Sequence, residues 1–355
     1  MKGLILAAGL GTRLRPITSL RPKPTINVAN RPLIHYAIDN LVNAGVSDIG
    51  IVVGTATETS IRDILADYPG AEITYIMQDP PLGLAHAVKV SRGFLGDDPF
   101  VMYLSDNLFE HGLGEYVEAF DPAKGVNAVL ALVPVPDPRS LGVAVVESGR
   151  ITRLVEKPAV PPSNLAVAGV YVFDSSVHDA IEGLEPGAKG EYQITDAIQR
   201  MITWGKNVVP VEVKGWWKDT GKAEDILDAN RLLLAVLRGR VEGTVENSEL
   251  VGEVVVEQGA VVRDSKVFGP ALIASGAVVE KAYIGPFTTL GKNVVVHDAE
   301  LEYSAVGADS RISNIGARIQ ASLIGEDVVL TGHDGRPSAH RLIVGDESKI
   351  ELQEG

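Results

Sequence analysis

The chemistry legible in this sequence starts at a glycine-rich loop and a few charged residues. The run LILAAGLGTRLRP, residues 4–16, passes from apolar residues into Gly9, Gly11, Thr12 and Arg13. Glycines at a strand end let backbone amides approach a phosphate closely, and an arginine adds a planar fork of donors for phosphate oxygens. No GK[ST] follows and the third glycine of the dinucleotide fingerprint is missing, so the run reads as a phosphate loop of another kind or as a tight turn. Lys23, in RPKPT, places an ammonium on a proline-stiffened stretch; standing alone it would be a solvated surface lysine. Asp106, in FVMYLSDN, follows directly on a strand-like run, and Asp219, in WWKDTG, precedes a Thr-Gly turn. Two carboxylates facing a polyphosphate suit magnesium, although each could simply cap a turn. VEKP, residues 155–158, sets the acceptor Glu156 beside the cation Lys157, and a surface ion pair is the plainer reading.

Positioning these groups requires a sheet. GLILA, IGIVV, ITYIM and FVMYL read as strands, and Leu33, Ile34, Ala37, Ile38, Leu41 and Val42 line one helix face. Strands separated by helices predict a mainly parallel sheet covered on both faces. Ligands bind such sheets at the carboxyl edge, which makes Asp106 and the glycine loop expected neighbours. NAVLALVPV, GVAVV and VAGVYVF follow with less helix between them, predicting an antiparallel or mixed extension. ITDAIQRMITWG is another helix, with Ile194, Ala197, Ile198, Met201 and Ile202 in phase.

After DILDANRLLLAVLRGRVEG, a connecting helix with a glycine-punctuated exit, the rhythm changes. Aliphatic residues return every six positions at Val255, Val261, Val267, Ile273 and Val279. The phase slips at Ile284, resumes at Leu290 and Val296, and continues less regularly through Leu301, Val306, Ile312, Ile319 and Ile324. A six-residue period suits neither an α-helix nor a hairpin; it suits a parallel β-helix of hexapeptide repeats, a β-sandwich with fortuitous spacing being the alternative. The tail LIVGDESKIEL is the expected cap. The predicted domains are therefore residues 1–238, α/β with a mixed, mainly parallel sheet, and residues 239–355, a β-helix.

Composition narrows the function classes. At 355 residues and 45% hydrophobic content the chain is globular and long enough for two domains. The absence of cysteine removes disulfides and thiolate metal sites. A formal charge of −14 argues against a nucleic-acid or anionic-membrane binder, so an anionic substrate must be held by a few local cations. No apolar run is long enough to cross a bilayer, and the opening residues read as a strand rather than a signal peptide, so a cytoplasmic protein is expected.

LAAGLGTRLRP with Lys23, then QDPPLGLA, LSDN, VEKP, SNLAVAGVY and WWKDTG, in this order, resemble the sugar nucleotidyltransferases. The likeness is nearest to the thymidylyl-transferring branch, in the long form whose C-terminal domain is a left-handed β-helix. It covers nearly the whole chain and implies a Rossmann-like catalytic domain. It also implies attack by a sugar 1-phosphate, glucose 1-phosphate first, on a nucleoside triphosphate, dTTP first and UTP as the alternative. Catalysis would rest on Arg13, Lys23, Asp106 and Asp219. Leu6, Gly9, Gly11, Thr12 and Arg13 would bind the triphosphate together with Asp106, while Gln78 and Gly83 read the base. Gln78 would donate to a base carbonyl and accept from the ring N–H. Asn107, Gly142, Glu156, Lys157, Val167 and Tyr171 would hold the sugar phosphate, and Asp106 with Asp219 would bind Mg²⁺. A homo-oligomer is expected, with no nucleic-acid or membrane partner. Ser105, where the family often has glycine, and Pro24 depart from the pattern.

The phosphate oxygen of a sugar phosphate is already ionised at neutral pH. The implied reaction therefore needs charge neutralisation and alignment rather than a strong base. Two other classes stay open: a non-catalytic regulatory subunit of the same fold, and an acyl-transfer activity of the β-helix using His297, His333 or His340 as base.

Overall fold

A computed structural model describes residues 1–187 and 190–333 together with Ser348 and Ile350. Apart from those last two, the tail LIVGDESKIEL lies outside the described residues, as does His340. The chain divides into two compact units. One comprises Met1–Leu10, Arg21–Thr25 and Leu33–Asp219; the other comprises Gly11–Leu20, Ile26–Pro32 and the chain from Thr220 onward.

In the first unit, nine strands among the described residues form one sheet. Its parallel centre runs Phe100–Leu104, Lys2–Leu6, Asp48–Val53 and Glu72–Met77. These are near-continuous apolar runs because both faces are covered: Leu4, Val52 and Met102 enter one core, and Ile5, Ile51 and Tyr103 the other. The helix Leu33–Asn43 buries Leu33, Ile34, Ala37, Ile38 and Leu41, while Val42 at the edge of its apolar stripe is half-buried. The helix Ile194–Thr203 buries Ile194, Ala197, Ile198 and Met201. Full burial of one such aliphatic side chain contributes roughly 1.5–3 kcal/mol. The expected antiparallel extension is present: Leu165–Phe173 pairs antiparallel with Phe100–Leu104, Val126–Pro134 and Gly142–Glu147, and Arg150–Glu156 pairs with Gly142–Glu147. A separate two-stranded ladder joins Asn107–Phe109 to Trp217–Asp219.

The second unit contains three parallel sheets stacked coil on coil, a β-helix of the left-handed hexapeptide type. The phase differs from the sequence expectation at its start. The interior takes Val256 and Val262, whereas Val255 packs with Leu234, Leu272 and Ala274, and Val261 is half-buried outside. A one-residue shift in a strand exchanges its faces, and runs such as VVV offer no chemical distinction between them. From Val267 the predicted residues do face inward, through Ile273, Val279, Ile284, Leu290, Val296, Leu301, Val306 and Ile312. Registers Val262↔Val279↔Val296 give coils of seventeen residues, so one side per coil is a residue short, which is the origin of the slip at Ile284. One corner recurs at Asn247, Asp264, Lys281 and Asp298, all with positive φ; short Asn and Asp side chains tolerate that conformation. The connecting helix is shorter than expected: it spans Ala223–Ala235, and Arg240–Val241 already pairs with Val255–Val256.

Asn230, on that helix and 1% exposed, is a polar hub of the second unit. Its Oδ1 accepts from the Ala29 amide at 2.8 Å and the Thr289 hydroxyl at 3.4 Å, and its Nδ2 donates to the Phe287 carbonyl at 3.4 Å. Asn30 Nδ2 donates to the Leu290 carbonyl at 2.8 Å. The short hairpin of Asn27–Val28 and Arg31–Pro32 is thereby tied to the coils.

Candidate active site

Lys23 is 7% exposed, contrary to the surface reading that its sequence context alone would favour. Its Nζ donates to Asp106 Oδ2 at 2.6 Å and stands 3.7 Å from Asp219 Oδ1. Backbone register creates this convergence. Asp106 follows the strand Phe100–Leu104, and Asn107 pairs directly with Asp219 across the two-stranded ladder, so residues more than a hundred positions apart become neighbours. Two hard oxygen donors thus face one cation. Among the described residues no group of three or more His, Cys, Asp or Glu forms a metal cluster. A pair of carboxylates fits Mg²⁺ bound jointly with substrate phosphates, because that ion takes one or two carboxylates and fills its octahedron with phosphate and water oxygens.

The neighbours of Asp106 hold it in place. Asn107 Nδ2 donates to Asp106 Oδ1 at 2.7 Å, while Asn107 Oδ1 accepts from the Trp217 indole at 2.7 Å. Both ends of the Asn107 amide are therefore engaged inside the protein. Gly169 lies against it with φ +72°, and a Cβ there would sit 2.8 Å from the amide carbon. Ser105 is buried and donates from its hydroxyl to the Leu6 carbonyl at 2.8 Å, joining the carboxyl ends of two adjacent strands. The departure from glycine at that position has a structural use.

Gln78, 4% exposed, follows the strand Glu72–Met77. Its Nε2 donates to the Gly83 carbonyl at 3.0 Å and lies 3.1 Å from His86 Nδ1. Gly83 has φ +96°, and a Cβ would meet the Tyr192 carbonyl oxygen at 2.6 Å, so only glycine fits. Gly9 is exposed, and an added Cβ would meet nothing within 4 Å; the space over that backbone is open for a ligand.

A second constellation forms where Arg150–Glu156 meets Gly142–Glu147, with Glu156 opposite Gly142. Glu156 Oε2 accepts from the Thr195 hydroxyl at 3.1 Å, and Oε1 pairs with Lys157 Nζ at 2.9 Å. Tyr171 and Val167 are buried on Leu165–Phe173. Burial, and then the Glu156 carboxylate, push the Tyr171 hydroxyl far above the usual phenol range, so it stays protonated. Burial and then Glu156 also raise the carboxyl of Asp196. Gly11, Thr12 and Arg13 cluster with the second unit. There Gly11, φ +63°, precedes a single turn Thr12–Leu14, its carbonyl accepts from the Thr18 hydroxyl at 2.8 Å, and Arg13 is exposed.

Sequence reasoning missed Thr195, Asp196, His86 and Tyr192. The first two open the helix Ile194–Thr203, where the apolar periodicity of the run hides their polar side chains. His86 follows QDPPLGLA directly, so its nearness to Gln78 is the signal that could have found it.

A family model described as nucleotidyl transferase matches residues 2–236. The chain is 44% identical over 355 residues to a glucose-1-phosphate thymidylyltransferase of Streptomyces griseus, covering 99% of each. Among solved structures, a Bacillus anthracis protein assigned as a glucose-1-phosphate thymidylyltransferase is 35% identical, with TM-score 0.62, covering 68% of this chain and 98% of that one. A UDP-glucose pyrophosphorylase complexed with UDP-glucose is 28% identical, with TM-score 0.60, covering 66% and 98%.

Proposed function

We infer the reaction from the premise that this chain belongs to the nucleotidyl transferase family. The protein is an enzyme that joins glucose 1-phosphate to the thymidylyl group of dTTP, giving dTDP-glucose and pyrophosphate. The observation that carries this reading is the buried Lys23 ammonium 2.6 Å from Asp106 Oδ2 and 3.7 Å from Asp219 Oδ1, a cation beside two carboxylates as polyphosphate and metal chemistry requires.

The phosphate oxygen of the sugar phosphate attacks the α-phosphorus, the bond from that phosphorus to the bridging oxygen breaks, and pyrophosphate leaves with the electron pair. Nucleophile and electrophile are both anionic, so the barrier lies in bringing them together in line. Lys23 neutralises charge near the reacting phosphorus, and its burial keeps water from competing for that ammonium. Asp106 and Asp219 would hold Mg²⁺, which when bound neutralises phosphate charge and orients the leaving group. Gly9, Gly11, Thr12 and Arg13, with Leu6, bind the triphosphate, and Gln78 and Gly83 meet the base. Glu156 accepts from sugar hydroxyls, Lys157 meets the sugar phosphate, and Gly142, Val167 and Tyr171 shape the pocket; Asn107 contributes by orienting Asp106.

UTP is the second reading for the triphosphate, because thymine and uracil offer Gln78 the same ring N–H, and because of the likeness to a UDP-glucose pyrophosphorylase. The division into a catalytic domain, residues 1–238, and an assembly-forming β-helix, residues 239–355, in a cytoplasmic homo-oligomer is part of the same proposal. No helix among the described residues is long and apolar enough to cross a membrane. Pyrophosphate release is to be measured for dTTP, UTP, ATP and GTP against the 1-phosphates of glucose, galactose and N-acetylglucosamine. Turnover with dTTP and glucose 1-phosphate is expected to lead. No release with any pair would favour the regulatory-subunit reading.

A further inference from the structure

We propose that His86 is a specificity-positioning residue: it locks the Gln78 side-chain amide so that only its carbonyl oxygen is offered to the nucleobase. The inference rests on the reading above that Gln78 meets the base, and it sharpens that reading. An amide nitrogen carries two hydrogens. Here one goes to the Gly83 carbonyl at 3.0 Å and the other faces His86 Nδ1 at 3.1 Å. Gln78 has no donor left, and among the described residues its Oε1 makes no hydrogen bond. The sequence expectation that Gln78 would both donate and accept is therefore replaced by acceptance alone.

The lock is built from several elements. The orientation cannot reverse cheaply, since a flipped amide would press Oε1 against the Gly83 carbonyl and, with the His86 proton on Nε2, against Nδ1 as well. Gly83 is pinned by its left-handed backbone against Tyr192, whose amide donates to the Leu82 carbonyl at 2.8 Å and whose carbonyl accepts from Ala85 at 3.1 Å. The Tyr192 ring stacks on His86 at 6.3 Å between centroids. His86 must be neutral, with its proton on Nε2, for Nδ1 to accept. Its partial burial, and then Lys89 on the same helix, lower its pKa and favour that form.

A fixed acceptor selects by hydrogen-bond polarity. Thymine, uracil and guanine carry a ring N–H on the pairing edge; cytosine and adenine carry a ring nitrogen lone pair there, which would face the Gln78 oxygen unpaired. Rejection of a mismatched polar edge is strong when the protein group cannot turn.

The test compares kcat/KM for dTTP and dCTP, each with glucose 1-phosphate, in the wild type, His86→Leu, His86→Asn and Gln78→Ala. One neutral hydrogen bond corresponds to roughly a fivefold effect. His86→Leu is expected to lower the dTTP/dCTP preference about five- to tenfold, through the triphosphate KM rather than kcat, with the KM for glucose 1-phosphate unchanged. His86→Asn restores the preference, because Asn Oδ1 can stand where Nδ1 stood. An unchanged preference in a folded His86→Leu, or no recovery in a folded His86→Asn, overturns the proposal. Gln78→Ala separates the two levels. If it collapses the preference while His86→Leu does not, only the positioning role fails; if it has no effect, the base-reading assignment of Gln78 fails with it.

Discussion

Asp106→Asn gives the sharpest test of the catalytic arrangement. The substitution keeps the size of the side chain and removes its charge. Oδ2 now accepts from Lys23 at 2.6 Å, and Oδ1 from Asn107 at 2.7 Å. An asparagine can keep only one of these bonds, because its amide nitrogen would face either Lys23 or Asn107 as a second donor. A hydrogen bond to a charged group contributes about 1.5–3 kcal/mol, and in the proposed reaction loss of a carboxylate that would hold Mg²⁺ adds to it in the transition state. A total of about 3–4 kcal/mol, at about 1.4 kcal/mol per decade, predicts a fall in kcat of at least roughly a hundredfold. Folding is expected to survive, since Lys23 keeps Asp219, 3.7 Å away, as a counter-charge. The assay is pyrophosphate release at saturating dTTP, glucose 1-phosphate and Mg²⁺, alongside a thermal melt of the same preparation. A folded variant whose kcat stays within about fivefold of wild type would refute the assignment of Asp106.

Gly142→Ala would place a Cβ 2.8 Å from Thr195 Cγ2 and 3.4 Å from Glu156 Oε2. The KM for glucose 1-phosphate is expected to rise roughly tenfold as the Thr195 to Glu156 hydrogen bond is displaced, about the effect of 1.4 kcal/mol; an unchanged KM counts against Glu156 as a sugar ligand. Lys157→Ala should act chiefly on the same KM, because in the proposed reaction it meets a charge present throughout. Arg13→Ala should lower kcat, because charge grows on the leaving pyrophosphate; matching effects from both variants would contradict this division. Asn230→Leu leaves the Ala29 amide and the Phe287 carbonyl without their partner and should cost about 2–4 kcal/mol, read as a lower urea midpoint; an unchanged midpoint refutes the hub. His178 is 9% exposed, and burial, then Arg92, push its imidazole down to about 4. The unfolded chain therefore binds a proton that the folded one refuses between about pH 6.5 and 4. Stability should fall across that window on acidification by on the order of 3 kcal/mol, and His178→Phe should flatten the slope; an equal slope in both proteins sinks this account.

Whatever depends on neighbours in the chain is legible in the sequence itself. The apolar runs ending at Leu6 and Leu104 mark strands, because a strand buried on both faces needs consecutive apolar residues. The aliphatics from Val267 to Ile312 announce a β-helix, because every coil must supply its own interior. The phase at Val255 and Val261 was not legible: each of these short runs offers valines to both faces, and pairing between coils, not composition, chooses which turns inward. Pairing of distant strands likewise brought Asp219 beside Asp106 and Lys23 between them; nothing near Lys23 in the sequence distinguishes a buried ammonium from a solvated one. The clustering of Gly11–Leu20 with the coils, and the orientation of the Gln78 amide against Gly83 and His86, follow the same rule. A sequence specifies which hydrogen-bonding groups a residue carries. Partners supplied from elsewhere in the fold decide which of them remain for a ligand.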